Sequence, residues 1–87
     1  MNLCFISGKV ANKIDLKFIY NPVTKSLNKR HTSIVLVDLE LEDSQIIKLC
    51  GYDEMADYIY RNIKQNDIIW IRGSISMDIV EIYEILR

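Results

Sequence analysis

Proline, glycine and cysteine are scarce in this chain of 87 residues, which has one proline, three glycines and two cysteines. Collagen-like repeats and flexible linkers are rich in glycine and proline, so both are excluded. Two cysteines cannot form the dense disulfide framework of a small secreted domain. We therefore expect Cys4 and Cys50 to be reduced structural thiols in a reducing compartment.

A single histidine, His31, limits the chemistry that the chain can perform. The spacing of His31 and the two cysteines matches no metal-binding motif, and a serine or cysteine triad would need a further histidine. The carboxylates are spread along polar strand faces and the start of a helix. We therefore expect no catalytic residue, no metal site and no cofactor, and interpret the protein as a non-enzyme.

Long apolar segments are also missing. No run approaches the roughly 20 apolar residues that cross a membrane. The first residues, MNLCFISGK, lack the basic and apolar segments of a signal peptide. Frequent isoleucine, lysine and asparagine are typical of proteins encoded by AT-rich DNA, such as that of organelles and some bacteria. We expect no membrane attachment and a location in a plastid or in the bacterial cytoplasm.

The charges are unevenly distributed although the formal net charge is only −1. Residues 1–31 carry six Lys/Arg and one acid, for a net charge of +5. Residues 38–57 carry seven acids and one lysine, for a net charge of −6, and residues 58–87 are neutral. The net charge argues against a dedicated nucleic-acid binder, whereas the basic N-terminal part favours one.

The hydrophobic pattern predicts strands, one helix and a loop. Period-two alternation indicates strands at residues 3–10, 33–41, 45–50, 68–76 and 79–86, and the first strand extends, bent, through Leu16, Phe18 and Tyr20. Residues 53–64 are predicted to form a helix whose apolar stripe is Met55, Ala56, Ile59 and Ile63. Residues 21–31 contain the only proline and several basic residues, which indicates a loop.

Three strands, a helix and two more strands are the layout of the OB-fold, a five-stranded Greek-key barrel. We therefore predict one all-β domain over residues 1–87, with the helix between the third and fourth strands. Gly8 and Gly73 lie on predicted inward faces, where a small barrel needs a kink or bulge. The same assignment puts Trp70 and Arg72 on the outside.

The chain also resembles the bacterial-type single-stranded DNA-binding (SSB) proteins. The similarity lies in MNLCFISGKV followed by DLKF, and in MADYIYRNIKQNDIIWIRGSI, which looks like the family's helix, turn and fourth strand. Primosomal replication protein N shares this core, and short plastid-encoded SSB-like proteins are similar in size. The resemblance implies an OB-fold, single-stranded DNA as ligand, with RNA as an alternative, and a role in DNA replication.

The expected binding face has an unfavourable composition. An OB-fold binds a single strand on the outer face of its second and third strands. The predicted face is formed by Ile34, Leu36, Asp38, Glu40, Ile46, Lys48 and Cys50. It has two acids, one lysine and no aromatic ring, and the loop between strands four and five is reduced to about two residues. We interpret Tyr52, Tyr58 and Tyr60 as rings that cover the bottom of the barrel, and a role in ligand contact is the alternative.

Basic and aromatic residues near the N-terminus, together with Lys48 of the predicted third strand, are the remaining candidates for nucleic-acid contact. The predicted set is Lys9, Lys17, Phe18, Tyr20, Lys25, Lys29, Arg30 and Lys48. They form either an electrostatic groove for phosphates or only a solvated loop.

A second set of outward residues, Leu3, Phe5, Trp70 and Arg72, indicates a contact surface. We expect it to mediate subunit contact in a homodimer. Contact with nucleic acid and partial burial of Trp70 under the extended first strand are the alternatives.

Two functions fit these features. The first is an SSB-like, non-catalytic homodimer that binds single strands. The second is an OB-fold subunit of a larger protein assembly that has lost ordinary strand binding.

Overall fold

The computed structural model describes residues 3–12, 14–18 and 33–86. Within these residues six strands and one helix follow each other. They are β1 (Leu3–Val10), β2 (Asp15–Phe18), β3 (Ser33–Glu40), β4 (Ile46–Tyr52), α1 (Glu54–Asn62), β5 (Ile68–Ser76) and β6 (Ile79–Leu86). The bounds predicted for β1, β5 and β6 are confirmed. Strand β4 ends two residues later than predicted, and the helix is shorter than predicted at both ends.

The strands form a closed barrel in the order β1-β5-β6-β4-β3-β2. The end of β1 closes it, because Lys9 pairs with Glu40 and Val10 pairs with Leu39 of β3. The short strand β2 then continues along β3, so β1 and β2 together are the bent first strand that the sequence predicts. The pairing of β4 with β6 is parallel and the others are antiparallel. The protein is therefore an OB-fold, as predicted.

The interior of the barrel is aliphatic. Alternate residues of each long strand point inward, as the pattern predicts, and the buried cluster includes Val10, Val35, Val37, Leu39, Leu49, Ile69, Ile71, Val80 and Ile82. Helix α1 closes one end of the barrel with Ala56 and Ile59, followed by Ile63 just beyond it. Both cysteines are free thiols, as expected.

Gly73 allows two strands of the barrel to approach closely. A Cβ atom at this position would overlap the backbone carbonyl oxygen of Glu81 and lie 3.0 Å from Cγ1 of Val80. The register of β5 and β6 shifts between Gly73 and Arg72, because Gly73 is opposite Ile82 whereas Arg72 is opposite Glu84. Tyr83 is thus the extra residue of a β-bulge, which strongly coils the sheet. The glycine serves the barrel, as expected, through backbone contact rather than through space in the apolar interior.

Candidate functional site

The outer face of β3 and β4 has an apolar end and a charged end. At the apolar end Ile34 is opposite Tyr52, and Leu36 is opposite Cys50. At the charged end Asp38 is opposite Lys48, and Glu40 is opposite Ile46. Residues directly opposite each other share a face, so all seven residues predicted for this face do lie on it.

The apolar end forms a groove that continues onto β6. Its volume is about 290 Å3, and its lining consists of Ile34, Leu36, Cys50, Tyr52, Ser76, Met77, Ile79 and Glu81. The wall beyond β4 is β6, since Cys50 is opposite Glu81 in the parallel pair. We call this feature the outer groove. Its size is near the lower end of typical small-ligand pockets, roughly 300–1,000 Å3.

A tight turn between β5 and β6 forms one rim of the outer groove. Met77 and Asp78 both have positive φ, at 50° and 68°, as expected for a two-residue hairpin turn. The Met77 side chain is 93% exposed. The reduction of this loop to two residues, predicted from the sequence, is confirmed, and it places a flexible thioether beside the groove.

The prediction that the outer face carries no aromatic ring is wrong. Strand β4 continues beyond Cys50, and period-two alternation brings Tyr52 onto the same face as Lys48 and Cys50. Tyr52 lines the outer groove and therefore does not cover the bottom of the barrel. A face with an apolar floor and one ring is a better platform for a base than the sequence had indicated.

The other two tyrosines assigned to the barrel bottom are also placed differently. Tyr58 and Tyr60 are exposed on α1, and the bottom is covered by aliphatic residues of the helix. Tyr58 lines a shallow hollow with Met55 and Tyr83 on the outside of the molecule. Helix residues two positions apart point in different directions, so the two rings do not form one surface.

Cys50 and Tyr52 are electrostatically coupled to Glu81. Cys50 lies on the outer face as predicted, but neighbouring side chains cover it and only 4% of it is exposed. Burial raises the pKa of the Cys50 thiol, and the nearby Glu81 carboxylate raises it further against the lowering effect of a hydrogen bond with Tyr52. Burial, the neighbouring Cys50 and the Glu81 carboxylate raise the pKa of the Tyr52 phenol. Both groups are therefore neutral at physiological pH, and Glu81 carries the negative charge of the groove.

The outer groove continues into a polar hollow. This hollow has a volume of about 210 Å3 and is lined by Asn12, Asp15, Lys17, Leu36, Asp38 and Lys48. Leu36 belongs to both features. Lys48 Nζ is 3.7 Å from Asp38 Oδ1, and Asn12 Nδ2 donates a hydrogen bond to Asp38 Oδ2. The two hollows therefore adjoin each other at Leu36 on the outer face, and we call them together the described path.

The structure brings together only some of the residues predicted to bind nucleic acid. Lys17 and Lys48 both line the polar hollow, and within the described residues Lys17 makes no ion pair. Lys9 lies at the seam of β1 and β3, where its Nζ is 3.6 Å from Glu40 Oε1. Phe18 is opposite Ser33 and 82% exposed, on the other side of β2 from Lys17. Tyr20, Lys25, Lys29 and Arg30 are outside the described residues and remain predictions.

The residues predicted for an interface form one exposed surface on β1 and β5. Phe5 is opposite Arg72 and Leu3 is opposite Ser74, which confirms that the two strands are neighbours. Phe5 is 69% exposed and Trp70 is 56% exposed, so both side chains are open to solvent. Arg72 Nε is 3.0 Å from Glu84 Oε1. The outward orientation is confirmed, and the contact itself stays a prediction.

The described part of the chain shows neither a metal-binding cluster nor a membrane-spanning helix. Among residues 3–12, 14–18 and 33–86, no group of three or more His, Cys, Asp or Glu is arranged to hold a metal ion. Helix α1, the helix of these residues, lacks the length and apolar character needed to cross a membrane.

Comparison with known proteins gives a structural match. No family model and no curated protein matches the sequence. The crystal structure of the SSB domain of a protein from Synechococcus sp. superposes with a TM-score of 0.78 and 14% sequence identity. The match covers 100% of this chain and 96% of the other. The described part of the chain therefore has the same fold as an SSB domain.

Proposed function

We propose that this protein binds single-stranded nucleic acid on the outer groove, as a non-catalytic SSB-like domain. Single-stranded DNA is the expected ligand, and RNA is the alternative. The supporting observation is the groove itself, which has an apolar floor and the Tyr52 ring on the face that OB-folds use for single strands. The fold shared with an SSB domain supports the same proposal.

The charges of the groove indicate what kind of binding to expect. Lys17 and Lys48 are the cations that line the described path, and Lys48 is already paired with Asp38. Asp15, Asp38 and Glu81 add three acids. Binding within the described residues therefore depends on base stacking more than on phosphate neutralisation. A base stacked on an aromatic ring contributes about 1–3 kcal/mol.

The proposal is tested by fluorescence anisotropy with labelled oligo-dT and oligo-rU across a salt series. We expect saturable binding to single strands and weaker binding to a duplex. Each phosphate neutralised on a single strand adds roughly −0.7 to the slope of log K against log salt. Two lysines on the path predict a shallow slope of about −1.4. Absence of binding to any oligonucleotide at low salt would refute the proposal.

An assembly function is the second candidate. The observation that favours it is the exposed apolar surface of Leu3, Phe5, Ile68, Trp70 and Leu86 on the neighbouring strands β1, β5 and β6. Exposed apolar patches often mark protein contacts. A homodimer through this surface is compatible with strand binding, since none of these five residues lines the outer groove. Loss of strand binding with retained contact to a larger assembly would instead support the second function.

We also propose a cellular setting. The resemblance to short plastid-encoded SSB-like proteins and to primosomal replication protein N supports a role in DNA replication. The isoleucine-rich composition and the free thiols support a plastid or the bacterial cytoplasm. Fractionation of the source cells, with detection of the protein in one compartment, tests this setting.

A further inference from the structure

One carboxylate in the outer groove has no partner within the described residues. Glu81 lies on β6 opposite Cys50 and lines the groove beside Tyr52 and Ser76. The ion pairs of the described residues involve Glu40, Asp38, Asp57 and Glu84 but not Glu81. Cys50 and Tyr52 line the same groove as Glu81, and its carboxylate raises the pKa of the Cys50 thiol and of the Tyr52 phenol.

This carboxylate restricts which part of a nucleotide can occupy the groove. A phosphate next to Glu81 is disfavoured by like-charge repulsion, whereas the apolar floor and the Tyr52 ring suit a base. An ionised carboxylate only accepts hydrogen bonds, and its two oxygens can accept a pair of parallel donors. The base that enters is therefore selected by the donors on its edge.

Guanine is the base whose edge matches. Its Watson–Crick edge presents the N1–H and the N2 amino group side by side, which can donate to both carboxylate oxygens. Adenine and cytosine each present one amino group next to an acceptor nitrogen. Thymine and uracil present one N–H between two carbonyl oxygens, which would face the carboxylate. A base that covers the carboxylate without donating to it displaces water and leaves the acceptor without a donor, so these bases are penalised.

We propose that the outer groove prefers guanine and that Glu81 is the residue that determines this preference. The inference rests on the proposed function, because it concerns the base held at the same site. Tyr52 and the apolar floor hold any base by stacking, and Glu81 discriminates between bases. A bidentate hydrogen-bonded pair discriminates against a wrong base, and we expect about tenfold tighter binding for guanine, which corresponds to about 1.4 kcal/mol.

The experiment compares labelled oligo-dT with oligonucleotides of the same length that carry a single central dG, dA, dC or deoxyinosine. A single guanine prevents self-association of the probe through guanine quartets. Deoxyinosine keeps N1–H but lacks the N2 amino group, so we expect it to bind more weakly than dG. The expected order is dG first, then dA, dC and deoxyinosine, and dT last.

Two variants separate the carboxylate's role from general electrostatics. Glu81→Gln replaces one acceptor oxygen by a donor, so we expect the preference for dG to fall toward onefold while dT binding is unchanged or improved. Glu84→Gln is the matched control, because it also removes one negative charge from β6 but its carboxylate pairs with Arg72 outside the groove. We expect Glu84→Gln to retain the full preference.

The outcomes distinguish the two proposals. Equal affinity for all the oligonucleotides, or a dG preference that survives Glu81→Gln, overturns the guanine inference and leaves strand binding intact. If no oligonucleotide binds, the proposed function itself fails and the guanine inference fails with it. Circular dichroism of both variants verifies that the barrel is folded.

Discussion

The contact at Gly73 makes a quantitative prediction about the stability of the barrel. In Gly73→Ala the new methyl group would overlap the carbonyl oxygen of Glu81, which is backbone and cannot rotate away. The strands β5 and β6 must then separate at the bulge or the register must change. Overpacking of this kind costs about 1–3 kcal/mol.

An opposing effect has to be included. Alanine reduces the conformational freedom of the unfolded chain, which stabilises a protein by about 0.4–1 kcal/mol at a compatible site. We therefore expect a net loss of roughly 1–2 kcal/mol in the free energy of unfolding. For a domain of this size, each kcal/mol corresponds to about 4–8 °C in Tm. Gly73→Val adds two more methyl groups at the same contact and should cost more.

Urea denaturation followed by circular dichroism measures this loss, with Tm as a second readout. Ser74→Ala is the matched control, because it changes the next residue of β5 and is expected to alter the free energy of unfolding by only about 0.5 kcal/mol. The reasoning is refuted if Gly73→Ala is as stable as the parent, since β5 and β6 could not then be in the close contact described.

The remaining predictions concern charge, association and pH. Lys17→Ala should weaken binding to all oligonucleotides alike and reduce the slope of log K against log salt by about 0.7 in an anisotropy salt series. The control Lys64→Ala, at an exposed position, should change neither the affinity nor the slope. An unchanged slope for Lys17→Ala would show that the phosphates do not contact Lys17. Changing Lys25, Lys29 and Arg30 together to alanine tests residues that the sequence alone predicts to contact phosphates. The slope of log K against log salt should become flatter if their loop forms an electrostatic groove. An unchanged slope would support the solvated-loop alternative. The chain should sediment as a dimer, and Phe5→Glu should shift it to a monomer by placing charges on the exposed apolar surface; a monomeric parent at tens of micromolar would contradict this. Because the folded-state pKa values of Cys50 and Tyr52 lie above their ordinary values of 9.0 and 10.0, the unfolded chain loses these protons first. The free energy of unfolding should therefore stay constant up to about pH 9 and fall as the pH rises through the folded-state pKa values. The fall should be smaller in the double variant Cys50→Ala/Tyr52→Phe. Equal pH profiles for the parent and the variant would contradict the raised pKa values of these two groups.

The barrel was predictable because its signals are local and mutually consistent. Strict alternation in residues 3–10, 68–76 and 79–86 predicts strands whose bounds the structure reproduces. The apolar stripe at Ala56, Ile59 and Ile63 predicts the helix that closes the barrel. The connection order then selects one topology, since a helix between the third and fourth strands is typical of the OB-fold.

The candidate site was harder to predict because it depends on contacts between distant strands. Tyr52 follows a glycine at the end of a strand, and the pattern alone does not show whether the strand continues past Gly51. The burial of Cys50 on an outward face results from its parallel pairing with Glu81, a contact between residues far apart in the chain. Glu81 acquires its role from the same pairing. An acid in an alternating strand indicates only a polar face.

Phe18 shows a different limit. Sequence interleaving of lysines and aromatic rings suggests one binding surface, but Lys17 and Phe18 are adjacent in a strand and point to opposite sides. The structure therefore separates two residues that composition had grouped. The two-residue alternation of the strand therefore predicts which side chains share a face better than the clustering of basic and aromatic residues in the sequence does.

Strand binding in the outer groove is tested most directly by titrating a labelled single strand with the parent protein, Tyr52→Ala and Trp70→Ala. The account predicts that the parent binds and that Tyr52→Ala weakens binding by about fivefold or more, since stacking contributes roughly 1–3 kcal/mol per base. Trp70→Ala should bind like the parent, because Trp70 lies on β5, outside the groove. Unchanged affinity in Tyr52→Ala together with loss of binding in Trp70→Ala would contradict the account.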